Sequence, residues 1–277
     1  MISRNPRHLA RPLRCQCDCG GDATRIRYLT FTSALVILFS LASAAPTTVS
    51  GARQDAWVVQ ASAGLPPAVS DALYRIEGVD RRLLALRAYL RAGDALSERW
   101  SWTQDRLSAY PSTPEGKAAA IEIDAVAAAF ATRNPGFTLL VNRQPRTLDV
   151  QITHWNENES VGKTAAMLRA ALERRFTAST PLNAVELRKA LIEWPGGGAA
   201  ALAAPGLSAH GQERAVDFQV TRHGQVIAGT DVASARRQWD AAGWTQKLHA
   251  AIGIAGNRFV GPLQTPYEPW HYTYVAR

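Results

Sequence analysis

The chain changes character at Asn134-Pro135-Gly136, and this change constrains its fold more than any other feature of the sequence. Before it, apolar residues recur at helical spacing from Val69 to Leu90, with breaks at Gly78 and Gly93. After it, short β-prone runs are mixed with helical segments and turns. This order predicts an α+β fold, in which a small antiparallel sheet flanked by helices follows an α-helical N-terminal region.

Individual elements follow from local signals. Thr113-Pro114-Glu115 is a strong helix start, because Thr can cap, Pro suits the first helical position and Glu suits the first turn. Arg222-His223-Gly224 predicts a hairpin turn between two strands. Other predicted strands cover residues 137–141, 258–260 and 271–275. Other predicted helices cover residues 94–107, 161–176 and 183–192. A further helix is predicted to start near Leu148, and another to contain both Trp239 and Trp244.

The composition divides the chain into four parts. Residues 45–68 are rich in small residues and Pro, which is typical of a linker. We expect residues 69–135 to be a helical packing region, with a partner-docking module as the alternative, and residues 136–277 to be the functional domain.

Residues 1–44 have the pattern of a secretory signal. Six arginines precede an apolar run from residue 29 to residue 42, and Ala42-Ser43-Ala44 resembles a cleavage site. The alternative is an uncleaved membrane anchor. Either predicts a periplasmic or secreted body, in contact with a membrane only through this segment. The cysteines Cys15, Cys17 and Cys19 all precede the apolar run, so the remaining chain has neither disulfide nor thiol nucleophile.

The charge excludes one class of function. The net charge is +8, but without residues 1–44 the chain keeps 25 basic and 21 acidic residues. This mild surplus suits an anionic envelope polymer, and it lacks the clustered basic stripe of nucleic-acid binders. We therefore expect no nucleic-acid partner.

Residues 205–217 carry the clearest chemical signal. A Pro-Gly pair and a β-prone run place His210 in a loop and Asp217 near the start of a strand. Imidazole and carboxylate are both good zinc ligands, and His271 is the candidate for a third. Pro269 argues against a helix through residues 268–271, and so against a helical zinc motif. Glu268 would then lie beside the site, where its carboxylate can carry a proton from water to a leaving amine.

These residues resemble the motifs of the zinc D-Ala-D-Ala carboxypeptidase/dipeptidase family, peptidase family M15. Residues 205–217 are similar to its P-G-x-S-x-H-x-x-G-x-A-x-D pattern, residues 268–271 to E-x-W-H, and residues 146–151 to R-S-x-x-x-Q, with Thr147 in place of Ser. The resemblance covers about residues 136–277 and implies a DD-peptidase/hedgehog-like fold. It implies these roles: zinc ligands His210, Asp217 and His271; general base and acid Glu268; oxyanion stabiliser Arg146; substrate contacts Ser208, Gln151 and Trp270.

One position departs from the family pattern. Glu213 stands where the family has glycine, and we expect its side chain to pair with Arg214 in solvent, with a contact to a substrate amine as the alternative. Four tryptophans, Trp155, Trp194, Trp239 and Trp244, either line the cleft or belong to the core.

The resemblance leads to the functional expectation of a zinc metallopeptidase of peptidoglycan stem peptides that cleaves next to a D-amino acid, as a D,D- or L,D-carboxypeptidase or as an endopeptidase. The alternative is a non-catalytic peptidoglycan-binding module on the same fold.

Overall fold

The computed structural model describes residues 49–177, 183–197 and 200–275. The expected signal or anchor in residues 1–44 lies outside this part. Within the described ranges, no helix is long and apolar enough to cross a membrane.

The described chain is α+β, with about ten α-helices and a small curled antiparallel sheet. The helices are α1 Val49–Ser62, α2 Pro67–Arg75, α3 Val79–Ala92, α4 Leu96–Arg99, α5 Gln104–Ala109, α6 Pro114–Arg133, α7 Leu148–Glu157, α8 Glu159–Arg175, α9 Ala184–Glu193 and α10 Trp244–Ala255. The strands are β1 Phe137–Val141, β2 Ala215–Arg222, β3 Gln225–Ala228, β4 Phe259–Val260 and β5 His271–Tyr274. Short 3-10 turns include Ala209–Gln212, and a π-helical turn covers Arg236–Asp240.

The start of α6 confirms the sequence prediction. Thr113 has extended backbone angles, and its side-chain oxygen accepts a hydrogen bond from the backbone N–H of Gly116 at 3.0 Å. Pro114 occupies the first turn, where its missing N–H costs nothing. The predicted breaks at Gly78 and Gly93 also fall at helix ends, since both glycines have positive φ.

The sheet is ordered β1-β2-β5-β4, and β3 pairs with β2 off this path. All pairings are antiparallel. Side chains alternate across β2, so Val216, Phe218 and Val220 enter a core while Asp217 points to the other face. The sheet therefore presents Asp217 away from its hydrophobic side.

In the described part of the chain, two large hydrophobic cores hold most of these elements, and Trp102, Leu107 and Tyr110 form a smaller cluster. The first joins α1, α2 and α3 to α7, α8 and α9, with Trp57, Tyr89 and Trp155 among its fully buried side chains. The second joins α6, α10 and the sheet. Each core draws residues from both sides of position 135, so the expected boundary between a helical region and a functional domain does not separate two cores.

Three sequence predictions need correction. Residues 49–62 of the expected linker form α1, because Trp57, Val58 and Ala61 lie on one face that the first core buries. Trp239 and Trp244 lie on separate helical segments, since Gly243 adopts positive φ between them. The helix expected over residues 94–107 is broken by extended backbone at Trp100 and Thr103.

Candidate metal centre

Asp217 and His271 are brought together by strand register. They are direct partners in the antiparallel pairing of β2 with β5. Tyr272 and Tyr274 of β5 are buried in the second core, which turns His271 to the same face as Asp217. His271 Nδ1 lies 3.0 Å from Asp217 Oδ1.

His210 is supplied by the 3-10 turn before β2. Its loop lies against the segment after α4: Ser101 N donates to Gly206 O and Trp102 N donates to Gly211 O, both at 2.8 Å. Gly211 has no room for a side chain, because a Cβ there would lie 2.0 Å from Ser101 Oγ. This close approach fixes the turn that carries His210.

The three predicted ligands form one cluster. His210 Nε2 lies 3.3 Å from Asp217 Oδ2, and the two imidazole rings are 5.0 Å apart. One ligand atom from each residue falls within 4.8 Å of the others. Asp217 is buried, and His210 and His271 are each only slightly exposed. His210 Nε2 is itself buried and has no hydrogen-bond partner.

The surroundings of His210 and Asp217 favour the protonation states in which these side chains can bind a metal cation. Burial lowers the pKa of His210, which outweighs the effect of Asp217 and keeps the imidazole neutral. Burial would raise the pKa of Asp217, but the two neighbouring histidines and the charge of Arg146 hold that pKa well below its usual range. A neutral imidazole and an ionised carboxylate are both ready to donate electron pairs to a metal ion.

Arg146 reaches the same carboxylate. It precedes α7, whose first turn is capped by the side chain of Thr147, and its Nη2 donates to Asp217 Oδ2. About a third of its side chain is exposed, at 36%. The guanidinium group of Arg146 is therefore fixed beside the three candidate ligands and is accessible from the cleft.

Glu268 lies on the turn that precedes β5. Its backbone N–H donates to Leu263 O at 2.9 Å, and its carbonyl accepts from the N–H of His271 at 3.1 Å. Its Oε2 lies 3.6 Å from His271 Nδ1, and burial raises the pKa of the carboxyl group. A half-buried carboxyl with a raised pKa is suited to accepting and returning a proton.

These groups share a cleft of about 430 Å³. Arg146, His210, Glu268 and His271 line it together with Ser208, whose contact with a substrate stays a prediction. The volume is in the range of small-molecule and peptide sites.

Gln151 lines the cleft and is also hydrogen-bonded within the protein. It is buried, and its amide nitrogen donates to Ser101 Oγ at 2.9 Å and to Arg146 O at 2.7 Å. Its amide oxygen accepts from Gly206 N at 2.9 Å. Since both ends of the amide are used within the protein, Gln151 positions Arg146 and the His210 loop, and its expected contact with a substrate stays a prediction.

Trp270, expected to contact substrate, lies in a core and is not among the residues that line the cleft. It is 2% exposed and packs in the second core against Trp239, with ring centres 6.2 Å apart. Of the four tryptophans expected to line the cleft or belong to a core, Trp155, Trp239 and Trp244 are buried in cores. Trp194 is partly exposed.

Glu213 does not lie in solvent with Arg214. It has φ 54° and ψ 18°, the left-handed conformation that favours glycine, which explains why a glycine would suit this position. Its Oε1 is buried without a hydrogen-bond partner, and burial raises the pKa of the carboxyl group.

Sequence reasoning missed the residues that support the His210 loop from the N-terminal side. Gln212 Nε2 donates to Glu98 O at 2.7 Å and to Trp100 O at 2.9 Å. These partners lie before residue 135, and no motif marks them. The only sequence signal was glycine at 206 and 211, which indicates close backbone approach.

The cluster of His210, Asp217 and His271 could hold a metal ion. Two imidazole nitrogens and a carboxylate oxygen are a donor set for a borderline divalent cation, and the unpartnered Nε2 of His210 fits a role as ligand. Comparison with known proteins gave no match to this chain among family models, curated proteins or solved structures.

Proposed function

We propose that the chain is a zinc-dependent peptidase of the D-Ala-D-Ala carboxypeptidase/dipeptidase type, with a DD-peptidase/hedgehog-like catalytic half. The observation that carries the proposal is that one cleft brings Glu268 and Arg146 beside the cluster of three candidate metal ligands. Three protein ligands and an open position are typical of catalytic zinc sites, whereas structural sites are closed by a fourth ligand.

The chain's own residues divide the chemistry between them. Glu268 accepts a proton from the attacking water and returns it to the leaving amine. Arg146, fixed by Asp217, stabilises negative charge on the carbonyl oxygen as the peptide bond is attacked. When bound, zinc would polarise the carbonyl and lower the pKa of water.

The substrates that we propose are peptidoglycan stem peptides, cleaved next to a D-amino acid. A periplasmic or secreted location, inferred from residues 1–44, would give the protein access to them. The cleft volume and the polar groups that line it are compatible with a short peptide.

The test is to incubate the full chain with D,D- and L,D-linked stem peptides, with and without a chelator, and to detect products by mass spectrometry. We expect cleavage that the chelator abolishes and zinc restores. Glu268→Gln should retain zinc, measured by plasma mass spectrometry, and lose turnover. Glu157→Gln is the matched control, because this glutamate is exposed at the end of α7.

Two results would count against the proposal. Loss of zinc from Glu268→Gln would mean that Glu268 is a ligand rather than a proton carrier. Peptide binding without cleavage by the zinc-loaded wild type would favour the alternative, a non-catalytic peptidoglycan-binding module.

A further inference from the structure

A second cavity lies beside the cleft and is rich in arginine. We call it the arginine cavity; its volume is about 640 Å³. Arg87 and Arg91 reach it from one face of α3, one turn apart, and Arg99 reaches it from the end of α4. Trp194, Leu202 and Leu207 are among its apolar walls.

Arg87 is held in place before any ligand arrives. Its Nη2 donates to Trp194 O at 2.8 Å, and its guanidinium carbon lies 5.3 Å from the centre of the Trp194 ring. Its Nε is buried and has no hydrogen-bond partner. Burial and the charge of Arg91 lower the pKa of Arg87, so the guanidinium lies in surroundings that disfavour its charge.

The cavity has no acidic group to balance these charges. Among the described residues that line it there is no aspartate or glutamate. In the described part of the chain, none of the three arginines forms an ion pair with an acidic side chain. A preorganised guanidinium with donors to spare is a good partner for a carboxylate or phosphate.

The arginine cavity shares a wall with the cleft at the candidate metal site. Both are lined by Arg99, Ala200, Leu202, Ala203 and Leu207. A ligand that spans this shared wall would place one end beside His210 and Glu268 and the other beside Arg87 and Arg91.

We propose that the arginine cavity is a substrate subsite that binds a carboxylate group of the peptide whose scissile bond lies at the metal centre. This inference rests on the proposed function and specifies its substrate class: acidic peptides are preferred to neutral ones. The apolar wall accommodates the carbon chain that carries the carboxylate, which a free anion such as phosphate would leave unused.

The test measures binding separately from cleavage. Two acetylated stem-type peptides, identical except for a glutamate or a glutamine at one acidic position, are titrated into the full zinc-loaded chain carrying Glu268→Gln. The titration is followed by calorimetry, and inorganic phosphate is titrated in a third arm. We expect the glutamate peptide to bind at least about tenfold more tightly, since a hydrogen bond to a charged group is worth about 1.5–3 kcal/mol.

The variant Arg91→Gln should reduce this preference to within about twofold and leave the affinity of the glutamine peptide unchanged. Arg91 is exposed near the end of α3, so its replacement should not disturb folding. Arg133→Gln, at the exposed end of α6, makes the same charge change elsewhere and should keep the full preference.

Equal affinity for the two peptides, or no measurable binding by either, overturns the subsite. Phosphate binding that Arg91→Gln abolishes, without a preference between the peptides, also overturns it and assigns the cavity to a free anion. If the glutamate peptide binds preferentially through Arg91 but zinc-loaded wild type cleaves neither peptide, the proposed function fails and the subsite stands. If the zinc-loaded wild type cleaves both peptides at equal kcat/KM, the proposed function stands and the subsite fails.

Discussion

Asp217 and His271 face each other across the pairing of β2 with β5, with Oδ1 and Nδ1 3.0 Å apart. Backbone hydrogen bonding of the sheet continues beyond this pair, because Phe218 N donates to Trp270 O at 3.1 Å. Two of the three candidate ligands are therefore set by the sheet, and their separation depends on backbone pairing rather than on loop conformation.

Zinc should stabilise the protein through these ligands. A ligand that binds only the folded state raises its stability by about 2.7 kcal/mol at a concentration 100 times Kd. We expect zinc to raise the Tm of the chelator-treated chain, and His210→Ala to abolish the rise, as measured by differential scanning calorimetry. His249→Ala, exposed on α10, should keep it. An unchanged Tm shift in His210→Ala would remove His210 from the metal site.

Gln151→Leu should destabilise the fold by about 3 kcal/mol. The substitution removes three hydrogen bonds and leaves the buried N–H of Gly206 without a partner. Urea denaturation measures the change, and Gln104→Leu on the exposed side of α5 should have little effect. A normal stability combined with weaker substrate binding would instead restore the expected role of Gln151 as a substrate contact.

Glu213→Gly should stabilise the protein by about 1 kcal/mol at neutral pH, because glycine adopts positive φ without steric cost. The gain should be larger at pH 8 than at pH 4. Folding raises the pKa of Glu213 above its ordinary 4.5. The folded wild type is therefore not destabilised by this group below pH 4.5, and it loses stability as the pH rises through the raised pKa, where the buried carboxyl group must ionise.

Urea denaturation at both pH values checks this prediction for Glu213. Glu213→Gln is the informative control, since it keeps the backbone strain and removes only the charge. If Glu213→Gly lowers stability at both pH values, the left-handed conformation is not the source of the cost.

Trp270→Ala should act through stability, with a loss of about 3–5 kcal/mol, because the indole is buried in the second core. Guanidinium denaturation measures the loss. Val260→Ala, which is 65% exposed on the neighbouring β4, should change stability by less than about 0.5 kcal/mol. A variant with wild-type stability and a raised KM would return Trp270 to the substrate site.

The sequence predicted well where a local signal determines the structure. Thr113-Pro114 starts α6, and His223-Gly224 forms the turn between β2 and β3. The motifs pointed to His210, Asp217 and His271 as candidate ligands, and the fold gathers these three residues into one cluster.

The errors share a physical cause, which is that burial depends on partners distant in sequence. Trp57 could not be placed in a core without the neighbours that α3 and α9 bring to α1. Trp270 lies next to a residue of the cleft in sequence, but a motif does not show whether a side chain points outward or into the protein.

The lack of space at Gly211 ties the metal centre to a part of the chain far from every motif. Ser101 and Gln151 close around this glycine, and Trp102 holds its carbonyl. A fragment that begins after residue 135 would contain every candidate ligand but would lack the surface that shapes their loop. Natural or engineered shortening of the N-terminal helices should therefore alter the candidate metal site itself, and inherited variation at Ser101 should be limited to side chains no larger than serine.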